Sequence, residues 1–284
     1  MNLRQLRRSF TFAVLTAASV WIAPAGAAPI VFSDSGAVAA DIQGEVDAFR
    51  AALGNPNNAN APGPLASGRR EINWDGGGAV DGSAAVTPFT VFQNTRGATF
   101  TTPGTGLTQA PVTGGLLSLD LINPTYATTF ATFSPLRLFT PLDSNITDGT
   151  FSIPGTNGAV PATISGFGAV FTDVDLAGTT LEFFNLAGNS LGVFNVPIGT
   201  VADASLSFLG VIFDAGELIG GVRITTGTTA LGPNDDPANG VDVVAMDDFI
   251  YAEPQVVAIP ETSILALLSI GLAGLGFARR RKLS

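Results

Sequence analysis

Apolar positions between residues 38 and 53 recur with a helical spacing. Val38, Ile42, Val46, Phe49 and Leu53 follow one another at intervals of four, four, three and four. That spacing puts them on one stripe of a 3.6-residue helix. Ser35 is placed to cap its N-terminus and Gly54 to end it. The opposite face carries Asp41, Glu45, Asp47 and Arg50, so the helix is expected to pack on one side of a sheet.

The pattern changes after Leu53. Residues 55–67 are rich in Asn, Pro, Ala and Gly and read as a loop, and residues 76–83 as a second, glycine-rich connection. Beyond them, short runs of Thr, Val, Phe, Ile and Leu sit between Gly and Pro, a strand-and-turn composition. Strands are expected at Ala169–Leu176, Thr180–Phe184, Leu191–Val196, Leu206–Phe213, Leu218–Thr225 and Val241–Tyr251, with a hairpin loop over Asn185–Ser190. The connections are too short for crossover helices, so the pairing should be antiparallel. No fixed-period repeat supports a solenoid or propeller. The expected class is mainly β: an antiparallel β-sandwich with one N-terminal amphipathic helix, spanning residues 28–255.

Both chain ends carry a different pattern. Arg4, Arg7 and Arg8 precede an apolar stretch from Phe10 to Ala23 and a small-residue site at Ala25-Gly26-Ala27. This reads as an export signal over residues 1–27, with general and twin-arginine routes both open at Arg7-Arg8. At the other end, residues 264–278 are uncharged, and Arg279, Arg280, Arg281 and Lys282 follow at once. As a helix this run is about 22 Å long, against a hydrocarbon core of roughly 30 Å. Snorkelling cations or local thinning can close that gap. A membrane helix with a cytoplasmic basic stop is expected, leaving the body on the far side.

Charge sharpens this division. Of 13 Lys and Arg, seven lie in the two terminal signals, whereas of the 23 Asp and Glu only Glu261 does. Six arginines therefore face 22 acids between the signals, a balance of −16. Such a field repels phosphate backbones, so no nucleic-acid partner is expected. Histidine and cysteine are absent. That removes serine–histidine and cysteine–histidine catalysis, the commonest zinc ligand, and any disulfide.

Two stretches could carry chemistry. Asp173 and Asp175 lie two apart in an expected strand and should share a face. Asp247 and Asp248, in the last strand, should point to opposite faces. Asn234-Asp235-Asp236 and Asp242 lie in and just after the loop before it. If Asp173, Asp175, Asp247 and a loop acid such as Asp242 converge at a sheet edge, they could hold Ca2+. The alternative is solvated acids and ordinary turn chemistry. The second stretch is Arg69-Arg70-Glu71-Ile72-Asn73-Trp74-Asp75. Trp74 could stack on a sugar while Asn73 and Asp75 bond its hydroxyls. Alternatively Trp74 fills the core and Arg70 pairs with an acid. A carboxylate pair can hydrolyse glycosides, but no acid and base can be assigned among so many, and no enzymatic activity is expected.

The tail at Pro260, Glu261 and Thr262, followed by the apolar run and the basic cluster, resembles a PEP-CTERM sorting signal, with Thr262 where that family has a second proline. The resemblance covers residues 259–284. It implies processing by an exosortase-type enzyme and delivery to the cell surface or exterior of a polymer-producing Gram-negative bacterium. The segment 166–251, through Phe171-Thr172-Asp173-Val174-Asp175, Gly188-Asn189, Leu206–Gly210 and Asp247-Asp248-Phe249, resembles galactose-binding-like domains of exported PEP-CTERM proteins. That implies a jelly-roll-like fold, with a structural calcium as one option. The expected role is structural or adhesive, in the cell envelope or extracellular polymer. A calcium-dependent carbohydrate-binding module is the alternative, and a glycoside hydrolase the third.

Overall fold

The computed structural model describes residues 28–76, 84–214, 216–257 and Leu268. The expected export signal, the motif at Pro260–Thr262 and the basic stop lie outside the described residues, as does the expected membrane segment apart from Leu268. No helix among the described residues is long and apolar enough to cross a membrane.

The chain is mainly β, and its strands pair antiparallel. In order they are β1 (Ile30–Gly36), β2 (Arg69–Ile72), β3 (Ala98–Thr101), β4 (Gly106–Pro111), β5 (Arg137–Leu142), β6 (Ile146–Phe151) and β7 (Ala162–Thr163). There follow β8 (Gly166–Thr172), β9 (Thr180–Phe184), β10 (Ser190–Asn195), β11 (Leu206–Ile212), β12 (Gly221–Thr225), β13 (Ala245–Ala252) and β14 (Gln255–Val256). One sheet runs β1-β11-β8-β13-β5-β4, with β2 also on β13; a second runs β10-β9-β12-β6-β3; β14 and β7 pair separately.

The two large sheets share one apolar core. Phe167, Phe171, Leu209 and Phe249 from the first meet Phe100, Leu181, Phe183, Val222 and Ile224 from the second. In the second sheet β9 and β12 alternate: Leu181, Phe183, Val222 and Ile224 are buried, while Glu182 and Arg223 face outward. Strands β8, β11 and β13 are instead buried at every residue. Their near-continuous apolar sequence follows from having both faces covered.

The cover is the expected helix, α1 (Ala39–Leu53). Ile42, Val46 and Phe49 pack on Val170, Phe208 and Ile250, on the face of the sheet away from the main core. Burying each of these side chains contributes roughly 1.5–3 kcal/mol. Gly210 pairs with Gly168 across β11 and β8. A Cβ at either would stand 2.7–2.8 Å from the Phe49 ring, so the two glycines make the seat for it. Arg50 holds the polar edge of α1, through Glu71 at 3.0 Å and Asp248 at 3.4 Å.

The helix start differs from expectation. Ser35 belongs to β1, opposite Ser207, and cannot cap. The turn is closed by Asp41 Oδ2, which accepts the N–H groups of Ala37 and Val38 at 2.9 and 3.0 Å. Val38 sits at the cap position and is 56% exposed, not part of the core. Two short helices, α2 (Gln93–Arg96) and α3 (Tyr126–Thr129), were outside the expected set.

A β-bulge interrupts β13. Met246 lies opposite Phe171 and Phe249 opposite Ala169, so three steps on β13 match two on β8. At this bulge the outer partner of β13 changes, from β5 at Met246 to β2 from Phe249 onward.

Candidate functional site

Acids gather where three loops meet, beyond the end of β8. The expected strand through Leu176 stops at Thr172, and Asp173 takes a left-handed backbone with φ 68°. The alternation argument for Asp173 and Asp175 therefore fails, since the chain is no longer extended there. Asp173 donates its N–H to Ser205 O at 2.9 Å. Its side chain is fully buried, and neither carboxylate oxygen has a hydrogen-bond partner.

The second loop joins β10 to β11. Gly199 donates to Val174 O at 2.7 Å. A Cβ on Gly199 would collide with Ser205 Oγ, so only glycine lets this loop fold so tightly against the end of β8. The loop carries Asp203. The third loop joins β12 to β13 and carries Asp235 and Asp242. Asp242 accepts the N–H groups of Asp175 and Leu176, both at 3.2 Å, and Asp235 accepts that of Val243 at 3.0 Å.

Helix α3 braces two of these loops. Ala204 donates to Thr129 O at 2.9 Å. Tyr126 Oη donates to Pro233 O at 2.8 Å and accepts from Gly232 at 2.7 Å. The loop bearing Asp203 and the loop bearing Asp235 are thus tied to one short element.

The electrostatics follow from this crowding. Burial, then Asp235, Asp175, Asp203 and Asp242 in that order, push the Asp173 carboxyl up to about 9. Burial and the neighbouring acids raise Asp175 to about 6. Asp242 also rises to about 6, chiefly through burial, although its two backbone donors pull it back. Among the described residues, no three acidic side chains yet converge at ligand distance on a single point.

Asp247 goes elsewhere. Its Oδ2 accepts from the backbone of Phe133 at 2.6 Å and Ser134 at 3.3 Å. Asp248 Oδ1 accepts from Ser134 Oγ at 2.5 Å, and Asp247 Oδ1 from the same hydroxyl at 3.3 Å. The two acids expected on opposite faces therefore share a partner, because the bulge breaks the alternation. Burial and the adjoining Asp248 carboxyl hold Asp247 well above the usual carboxylate range. The pair fastens the loop before β5 and is separate from the acids around Asp173.

Trp74 is likewise not a surface platform. It is fully buried, stacked on Phe139 with ring centroids 3.7 Å apart, and its Nε1 donates to the Asp247 carbonyl at 3.0 Å. That carbonyl lies at the bulge, where the ladder leaves room for a side-chain donor. Asn73 is exposed and donates to Asp75 at 3.1 Å. Asp75 accepts from the Leu136 N–H at 2.9 Å. Arg70 is buried in a two-pronged pair with Glu253, at 2.6 and 2.7 Å. Of the two readings of this stretch, the core reading with a paired Arg70 describes Trp74, and burial removes the sugar-stacking one.

Sequence reasoning missed Asp203. It lies in an unremarkable Val-Ala-Asp-Ala-Ser run, and only the fold-back at Gly199 brings it near Asp173. No family model, curated protein or solved structure matches this chain.

Proposed function

We propose that the chain is an exported cell-envelope or extracellular-matrix protein with a structural or adhesive role. An N-terminal leader delivers it across the membrane, and an exosortase-type enzyme handles its C-terminal signal. The observation that carries this reading is the distribution of charge: seven cations at the two ends, and 22 acids against six arginines between them. Basic flanks on apolar runs retain segments on the cytoplasmic side, and an acidic body suits a hydrated exterior.

The body supports the role in two ways. Two antiparallel sheets over a shared core, without cysteine, favour a jelly-roll-like sandwich stable outside the cell. The residues that suggested glycan recognition are turned to internal use: Trp74 packs the core and Asp75 holds Leu136. The reading therefore rests on scaffold and surface more than on a sugar pocket at Trp74.

Cell fractionation tests it. The intact chain is expected in the envelope or exterior fraction, and a chain truncated after Ile259 is expected to lose that retention. Recovery of both forms in the cytosol, or identical partition of the two, would reject the reading.

A further inference from the structure

We propose that the three loops beyond β8 form a calcium site, with Asp173 as its buried carboxylate ligand and Asp175 and Asp235 completing the charged set. The inference goes beyond the export reading and does not depend on it.

Asp173 is the reason. Its carboxylate is fully buried and both oxygens lack a hydrogen-bond partner. A buried carboxyl with no partner is costly whether it is ionised or held protonated, and a bound cation satisfies both of its oxygens. No arginine meets the need among the described residues. Arg50 and Arg69 pair with Glu71, Arg70 with Glu253, Arg137 with Asp75 and Arg223 with Asp148. Arg96 donates to the Glu71 carbonyl and to Asn60. Four further acids surround Asp173 instead, so the local field favours a multivalent cation.

The chemistry selects calcium. The donors at hand are carboxylates, hydroxyls and loop carbonyls, a hard oxygen set with no imidazole or thiolate in the chain. They come from three separate loops, which suits the variable six-to-eight-oxygen shell of calcium better than the compact octahedron of magnesium. Asp235 commits one oxygen to Val243; its other oxygen can turn inward. Backbone carbonyls and water fill the remaining positions, since the acids alone do not yet converge.

Thermal unfolding of the purified full chain, in chelator and in calcium chloride, tests the site. Calcium at a hundredfold excess over Kd should raise the midpoint by roughly 5–10 °C, and titration calorimetry should find one ion per chain. Asp173→Asn keeps the side-chain shape, and Asn tolerates the left-handed backbone. It should melt about level with the parent in chelator, because it replaces a carboxyl that has no hydrogen-bond partner, and should lose the calcium response. Asp235→Asn, at a less buried position, should weaken the response at least tenfold in Kd and covers the case in which Asp173→Asn does not fold. An unchanged parent midpoint with calcium overturns the proposal. So does a full calcium shift retained by whichever variant folds.

Discussion

Trp74 shows how much one side chain can decide. It is the only tryptophan outside the expected leader, so the fluorescence of a chain without residues 1–27 reports this position alone. Stacked on Phe139 and closed in by Phe92, Phe100 and Phe249, it should emit at short wavelength. Soluble polysaccharide and iodide should leave that emission unquenched, and strong quenching by either would place the ring at the surface. The Arg70–Glu253 pair makes a second expectation. Asn58 at 2.8 Å and the Leu65 N–H at 3.2 Å also converge on Glu253. Removing one member of a buried pair strands the other, so Glu253→Ala should cost about 3–5 kcal/mol in urea unfolding. A loss below about 1 kcal/mol would mean that the pair is solvated. At Asp247 the sign runs the other way. Its folded pKa is raised by burial and by Asp248, whereas an unfolded aspartate ionises near pH 4. The folded state therefore holds a proton that the unfolded state releases, and stability falls as pH rises above about 4 toward the raised value. The slope from this group is at most about 1.4 kcal/mol per pH unit. Asp247→Asn should flatten that fall, and an unaltered pH profile would show that the proton is not held there.

At the scale of elements, the apolar stripe of α1 was legible because helix and sheet each obey one period. Ile42, Val46 and Phe49 are the buried side of the helix, as their spacing required. Strand β9 runs over Thr180–Phe184 as its composition indicated. The ends of elements were not legible. Ser35 was drawn into β1 by pairing with Ser207, a contact between residues 172 positions apart. Asp173 left the strand because its backbone turns left-handed, and Asp247 and Asp248 were brought together by a bulge. Both events are set by neighbouring chain segments and leave no mark on the local pattern. Helix α3, which braces the loops of the candidate site, is too short to show a period. The helix–sheet contact gives the test at this scale. Gly210→Ala would push a methyl into the Phe49 ring and should cost about 1–3 kcal/mol. In the Phe49→Leu background the same change should cost less, with a coupling above about 0.5 kcal/mol. Additive losses would mean that Phe49 does not rest on Gly210.

For the whole molecule, charge and apolar runs divide the chain into basic ends and an acidic β body, a division written in the order of its residues alone. The body has a reason to be built as it is. With no cysteine, it holds its loops by internal carboxylates: Glu253, Asp247 and Asp242 each accept backbone N–H groups from a distant segment. The many acids are thus of two kinds, those that fasten loops and those that give the surface its field. The ends are read as addresses, and the intact mass of the protein recovered from the cell exterior tests that reading most directly. The account predicts a chain whose first residue lies near Ala28, with residues 1–27 removed. A mass that retains the leader from Met1, or a protein found whole in the cytosol, would contradict it.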